Sequence, residues 1–532
     1  MRLRSSFAYQ EREMLLHPDT ATVTQNQPAV LNNRPQEAGL GTTHSRWPEW
    51  TTLAAYAALV AFAIPFHEPW ADEAQAWQLA RTLSLADLFK TFIRYEASPG
   101  LWHFLLWILI KAHVSYTGLH WICGAIAVAS TSLLIFRSPL PRTLRLALPF
   151  TYFILFQYAV IARNYVLVPP MLFMIAIFWK KRPLVVALLL GLMANASLHA
   201  AIISGGLAIL FAIDLLRSDD SSERNRHRNF LLCAIIVLAL YAFAIWTAFP
   251  PHDLSLSRPP GAKHPFFGWA VASLCWAMCE PWFLSFPFWI AIAIWFGARR
   301  KLFYLLPVLF FAIFSGAVYA NWWHVGLLTP LLICLLWITW PAPGTISTIY
   351  ENIGKAALAL LIATQILWSG YAIVFDHNRA YSPDRAAAEF LRPYVQQGAT
   401  IAATDLDDPI NYAFRAIGVL PYFDHDIFIN LPYPFWSWSD HNPSEQNYQA
   451  ALPSHPRIVV VEIIYNGAEK PVNLDHPKFR ALLNNGYKFT NLFCGTIPER
   501  MQSAFTNCHV IFQYQVEPKA PDSQQTPQKE NR

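Results

Sequence analysis

Long, uninterrupted apolar stretches constrain this chain more than any single motif. Crossing about 30 Å of hydrocarbon takes roughly 20 apolar residues of helix, and about eleven stretches of the 532-residue sequence approach that length. Only 14% of the residues are charged and 55% are hydrophobic, against about 25% charged in a soluble domain. The chain therefore reads as a polytopic α-helical membrane protein. Its 21 Trp and 21 Tyr suit that class, because amphipathic rings settle at both membrane interfaces.

Basic residues orient the spans. Clusters at Arg137/Arg142/Arg145, Lys180-Lys181-Arg182, Arg217–Arg228 and Arg299-Arg300-Lys301 belong on the cytoplasmic side by the positive-inside rule. The net charge of +5 lies largely in these short loops, so it reports topology and not a nucleic-acid partner. Residues 1–46 are polar, carry no apolar signal segment, and read as a disordered cytoplasmic tail. Spans are expected at 51–66, 119–136, 146–162, 165–179, 184–200, 202–216, 230–249, 282–298, 302–320, 325–340 and 356–375. Together they make a transmembrane domain over 47–375. Pro99–Ala112 is too short to cross and reads as a juxtamembrane helix within an external loop at 67–116. Counting it as a span would instead put Arg137 outside. After Asp376 short β-rich runs (Thr400–Thr404, Arg457–Ile464, Phe489–Phe493, Val510–Val516) alternate with helix-like segments (Asp384–Val395, Pro477–Asn485). This pattern predicts a small extracytoplasmic α/β domain over 376–516, followed by a disordered tail at 517–532.

Five of the seven cysteines lie in or beside apolar segments and read as small buried hydrophobes. Cys275 and Cys279 lack the further ligands that zinc needs. Cys494 and Cys508 stand in the polar C-terminal region, where an oxidising compartment would allow a disulfide between them. Asp405, Asp407 and Asp408 lack the Gly and distal Glu of a calcium loop and read as a turn.

With that topology, several polar residues at the ends of apolar helices fall on the outer side. Asp72 and Glu73 follow the first span, Arg163 and Asn164 form an outer turn, Asn195 and His199 lie near another outer end, and His324 opens the span after Asn321-Trp322-Trp323. Ionisable groups at membrane depth are costly and mark function by default. Each also has a structural reading. Asp72-Glu73 could cap the helix Asp72–Leu83, Arg163 could snorkel, and the two histidines could be interfacial hydrogen-bonding residues.

His67-Glu68-Pro69-Trp70-Ala71-Asp72-Glu73-Ala74 after the first span, Ser98-Pro99-Gly100-Leu101, and Ala162-Arg163-Asn164-Tyr165 together resemble the GT-C class of polyprenyl-phosphate-sugar-dependent glycosyltransferases. The likeness is to bacterial relatives of the protein O-mannosyltransferases and the lipid A aminoarabinose transferase, over roughly residues 50–340. Ser98 and Gly100 depart from the His-Pro-Pro-Leu common among those relatives. The resemblance implies an inverting transfer from a polyprenyl-phosphate sugar donor to a lipid, glycan or protein acceptor in the cell envelope, at a multi-pass inner membrane. It implies Asp72 as general base with Glu73 orienting it or contacting the acceptor. Arg163 is implied as phosphate clamp, with Tyr165, His199 and His324 contacting phosphate or sugar. His103, Lys111 and Lys263 are weaker candidates. No cofactor is expected; some enzymes of the resembled class use a divalent metal, but too few acids cluster in the sequence to predict one. A secondary transporter and a non-catalytic lipid-binding scaffold are the alternatives. The former should show midplane sites and an internal repeat, and no repeat is evident.

Overall fold

The computed structural model describes residues 45–217, 223–254, 265–276, 278–340, 347–406, 416–437, 444–466, 472–499 and 502–515. Most of both expected tails, together with Lys263, Asp407 and Asp408, lies outside the described residues. The chain is mostly helical, with a small sheet near its C-terminus.

Among the described residues five helices are long and apolar enough to cross a bilayer: Tyr116–Arg137, Leu198–Leu216, Glu223–Ala248, Trp322–Thr339 and Thr348–Asn378. The helix Trp47–Ala63 has 17 residues, about 26 Å at 1.5 Å per residue. Six more apolar helices run 10–17 residues; Asn164–Phe178 and Trp282–Ala298 match the lengths expected for their spans, while Pro183–Ala194 and Leu302–Ala317 fall short of theirs. Ala71–Thr82 and Leu101–Lys111 are separate short helices, within a residue or two of the bounds expected for them. Where relatives of the resembled class carry Pro, a Cβ on Gly100 would lie 2.5 Å from the Phe89 ring.

The stretch 146–162, read as a span, is not one helix. It breaks into Arg142–Ala147, a tight turn over Leu148–Phe150 containing Pro149, a wide turn over Phe153–Gln157, and irregular chain up to Arg163. Residues 151–162 are all buried. The run is apolar because protein surrounds it, and irregular backbone at membrane depth is tolerated under that condition. A similar break divides 184–200. The helix Pro183–Ala194 stops at Asn195, whose amide donates to the carbonyls of Gly191 and Leu240. A new helix begins at Leu198, capped by the Ser197 hydroxyl.

The C-terminal sheet consists of β1 (Ile401–Asp405), β2 (Ile458–Asn466), β3 (Tyr487–Glu499) and β4 (Gln502–Tyr514), in the order β1-β2-β4-β3. β1 and β2 are parallel; the other pairs are antiparallel. Side chains alternate between its faces. Ile401, Ala403, Ile458, Val460 and Ile511 join the core that continues into the apolar helices. Ala402, Val459, Val461, Val510 and Phe512 pack with Phe479 and Leu482 of the helix Pro477–Asn484. Cys494 and Cys508 face each other across β3 and β4 and form a disulfide.

Candidate functional site

The helix Ala71–Thr82 positions the two adjacent acids, and their environments differ sharply. Asp72 forms an ion pair with Arg163, and both side chains keep about a fifth of their surface exposed (22% and 19%). The Arg163 guanidinium also lies over the rings of Trp70 and Tyr165, each centroid 5.9 Å away. Burial opposes charge on Arg163, but Asp72 and its neighbours raise its pKa above the usual arginine range.

Glu73 is sealed in the interior. Its Oε1 accepts from the Trp70 backbone N–H (3.1 Å) and meets His67 Nε2 (3.3 Å). Its Oε2 accepts from the Ala162 backbone N–H (2.6 Å) and meets His120 Nε2 (2.9 Å). A carboxylate offers about four lone-pair positions, and here four groups meet them. Burial alone would raise the Glu73 pKa, yet His120 and His67 hold it well below the carboxylate range. Burial likewise discourages charge on His67, but Asp376, 3.2 Å from Nδ1, and Glu73 together push the ring up to about 10.

Around Arg163 lies a cleft lined by Trp70, Gln157, Ile161, Tyr165, Trp322, Trp323, Tyr381 and Ile497. The irregular chain at 158–163 supplies Ile161 and Arg163. That break exposes the guanidinium at the end of an otherwise apolar run. Tyr381 and Ile497 come from beyond the last apolar helix, so the C-terminal region forms one wall. It also grips the Asp72 helix. The Gln75 amide donates to the Trp436 carbonyl and accepts from its N–H, both at 3.0 Å. Arg81 donates to the carbonyl of Phe423 (2.6 Å), and Arg385 donates to that of His67 (3.1 Å).

The remaining sequence candidates form a chain leading away from Arg163. The Tyr165 ring stands edge-on to His324 (5.6 Å), and His324 stacks on His199 (3.9 Å, 9° between planes). Both imidazoles are buried and engaged. His199 Nε2 donates to the Tyr319 carbonyl, and His324 Nδ1 accepts from the Asn321 N–H, capping the helix start there. This bonding fits their structural reading as well as a binding role. Asn164 donates to the Ala196 carbonyl. His103 is buried, and neither ring nitrogen has a hydrogen-bond partner. Lys111 is exposed over Trp107 and takes no part in the cleft lining.

Asp72, Arg163, Tyr165, His199 and His324 thus form one contiguous group, with Glu73 anchored behind it. His120, Asp376, Gln157, Tyr381 and Ile497 belong to the same region and were not singled out from the sequence. His120 and Asp376 satisfy the rule that marked Arg163, an ionisable group near the end of an apolar helix. Tyr381 and Ile497 carry no such signal. Compared with family models, curated proteins and solved structures, the chain matches none.

Proposed function

We propose that the protein is an integral membrane glycosyltransferase that moves a sugar from a polyprenyl-phosphate donor to an extracytoplasmic acceptor by one inverting displacement. The observation carrying this reading is the partly exposed Asp72–Arg163 pair beside an aromatic-walled cleft. Such a displacement needs a base for the acceptor's proton and a fixed cation facing the charge that develops on the leaving phosphate. The acceptor O–H or N–H gives its proton to Asp72 as its bond to the anomeric carbon forms. The bond from that carbon to the phosphate oxygen breaks, and the lipid phosphate leaves against Arg163. A guanidinium presents five N–H donors in a planar fork, so Arg163 can hold Asp72 on one edge and phosphate on another. The half-buried rings of Trp70 and Trp323 suit the C–H face of a sugar ring. Glu73, with every lone pair taken, positions the helix and does not itself react.

The same reading places the basic clusters in the cytoplasm and the C-terminal sheet outside an inner membrane. The Cys494–Cys508 disulfide supports that side, since such bonds persist in oxidising compartments.

The test is transfer by purified, correctly inserted protein supplied with polyprenyl-phosphate sugars. Asp72→Asn should lower transfer by about 10²–10⁴-fold, and Arg163→Ala should weaken use of the lipid-linked donor. Near-normal transfer by Asp72→Asn would refute the base assignment. Lipid-linked sugars that accumulate in a deletion strain would identify the donor.

A further inference from the structure

The cluster behind Asp72 has an electrostatic requirement of its own. Two buried carboxylates, Glu73 and Asp376, bracket His67, one at each ring nitrogen. The other oxygen of Glu73, Oε2, meets His120 in the same way. A ring nitrogen that kept its lone pair would point it at an anionic oxygen, a repulsive contact. A hydrogen or a metal ion must therefore lie between nitrogen and oxygen at the two Glu73 contacts: either a proton on each Nε2 or one metal ion shared by both.

Geometry leaves room for the shared ion. A tetrahedral zinc with bonds of about 2.0–2.2 Å has ligand–ligand edges of about 3.3–3.6 Å. The nitrogen-to-oxygen separations are 3.3 Å on the His67 side and 2.9 Å on the His120 side. One ligand atom from each residue can be chosen so that all three lie within 4.8 Å of one another. Shifts of about 1 Å would seat an ion on the two Nε2 atoms and the carboxylate.

The outer contacts are those that orient metal ligands. The Asp376 carboxylate beside His67 Nδ1 keeps the proton on that nitrogen and leaves Nε2 as the donor. Backbone N–H groups of Trp70 and Ala162 fix the Glu73 carboxylate from outside. All three side chains are almost fully enclosed, at 0%, 0% and 4% exposure, which describes a structural rather than an open catalytic site.

We propose that His67, Glu73 and His120 bind one divalent transition-metal ion, zinc by the donor set, tying the Asp72 helix to the helix starting at Tyr116. Binding releases to solvent the protons that otherwise sit on the two Nε2 atoms. The ion joins three separate points of the chain at the root of the helix that carries Asp72. It takes no part in group transfer.

The test is metal content of the full-length protein, purified in detergent without chelator, read by elemental mass spectrometry. About one zinc per chain is expected, falling at least tenfold in His120→Asn. His120→Cys, which restores a zinc ligand, should retain the metal and serves as the folding control. Chelator should lower the thermal midpoint of the wild-type protein, and added zinc should restore it. Wild-type protein that holds no metal, and gains neither metal nor stability from added zinc, would overturn the proposal and leave two protons holding the cluster. Equal metal in wild type and His120→Asn would overturn it too. Because the readout is metal and not transfer, its failure is distinguishable from failure of the glycosyltransferase reading.

Discussion

Replacing Glu73 by Gln exchanges one carboxylate oxygen for an amide NH2 and deletes a charge. The backbone N–H groups of Trp70 and Ala162 point at different oxygens of that carboxylate, at 3.1 and 2.6 Å. An amide accepts on its oxygen alone, so in either orientation one buried backbone donor loses its partner, at about 1–3 kcal/mol. The lost charge also leaves the histidines without their shared anion, and breaking a buried pair by removing one partner costs about 3–5 kcal/mol. These costs overlap, so the expected loss is roughly 3–5 kcal/mol. The neighbouring change, Asp72→Asn, breaks a pair whose side chains each keep about a fifth of their surface exposed, so water offsets part of the buried-pair cost and the loss should be smaller than at Glu73. Adjacent acids should therefore separate stability from chemistry. In thermal melts in detergent followed by Trp fluorescence, Glu73→Gln should lower the midpoint by several degrees. Asp72→Asn should lower it less, while losing about 10²–10⁴-fold in transfer of labelled sugar. A Glu73→Gln protein that melts like wild type yet transfers nothing would refute this division of roles. So would equal destabilisation by both changes.

Three further outcomes are expected. Glu68 has a buried, unpartnered Oε2, and burial raises its pKa from 4.5 to about 7, with Arg385 opposing. The fold thus favours the protonated form, so its contribution is complete below pH 4.5 and declines as pH rises through about 7. Glu68→Gln should raise the midpoint relative to wild type at pH 8 but not at pH 4.5; a gap independent of pH would count against this. Removing the Cys494–Cys508 bond by double Ser substitution opens a loop of sequence separation 14. It should cost up to about 3 kcal/mol, and an unchanged denaturant midpoint would show that the β3–β4 pairing alone holds the hairpin. Gln75→Ala removes hydrogen bonds to Trp436 and to Glu96, and limited proteolysis should then cut sooner near 416–437. Unchanged cleavage would mean that packing, not this clamp, holds the segment.

Much of the architecture is legible in the amino-acid sequence, because period and composition are local properties. The Asp72 helix, the short helix after Gly100 and the terminal helices at Asp384 and Pro477 all lie within a few residues of their expected bounds. β1 and β2 do as well, while β3 and β4 extend well beyond their apolar cores. A hairpin's length is set by pairing across strands, and polar edge residues such as Thr506 and Asn507 join it without an apolar pattern. The stretch 146–162 misleads for another reason. Hydropathy reports that residues avoid water, and burial in protein satisfies that demand as well as lipid does.

The sequence by itself determined that this chain is mostly helical, that its apolar stretches suit a membrane, and that Asp72, Glu73 and Arg163 are placed where charge is costly. Those conclusions follow from properties carried by each residue and its near neighbours. Tertiary structure alone decided which acid is exposed and which is sealed, because Glu73 finds its partners at His67, His120 and Ala162, as far as 89 positions away. It also decided that Tyr381 and Ile497 close the cleft beside Arg163. Two neighbouring carboxylates have the same intrinsic chemistry. The groups that long-range packing brings to each of them are what make one an anchor and leave the other partly exposed beside the cleft.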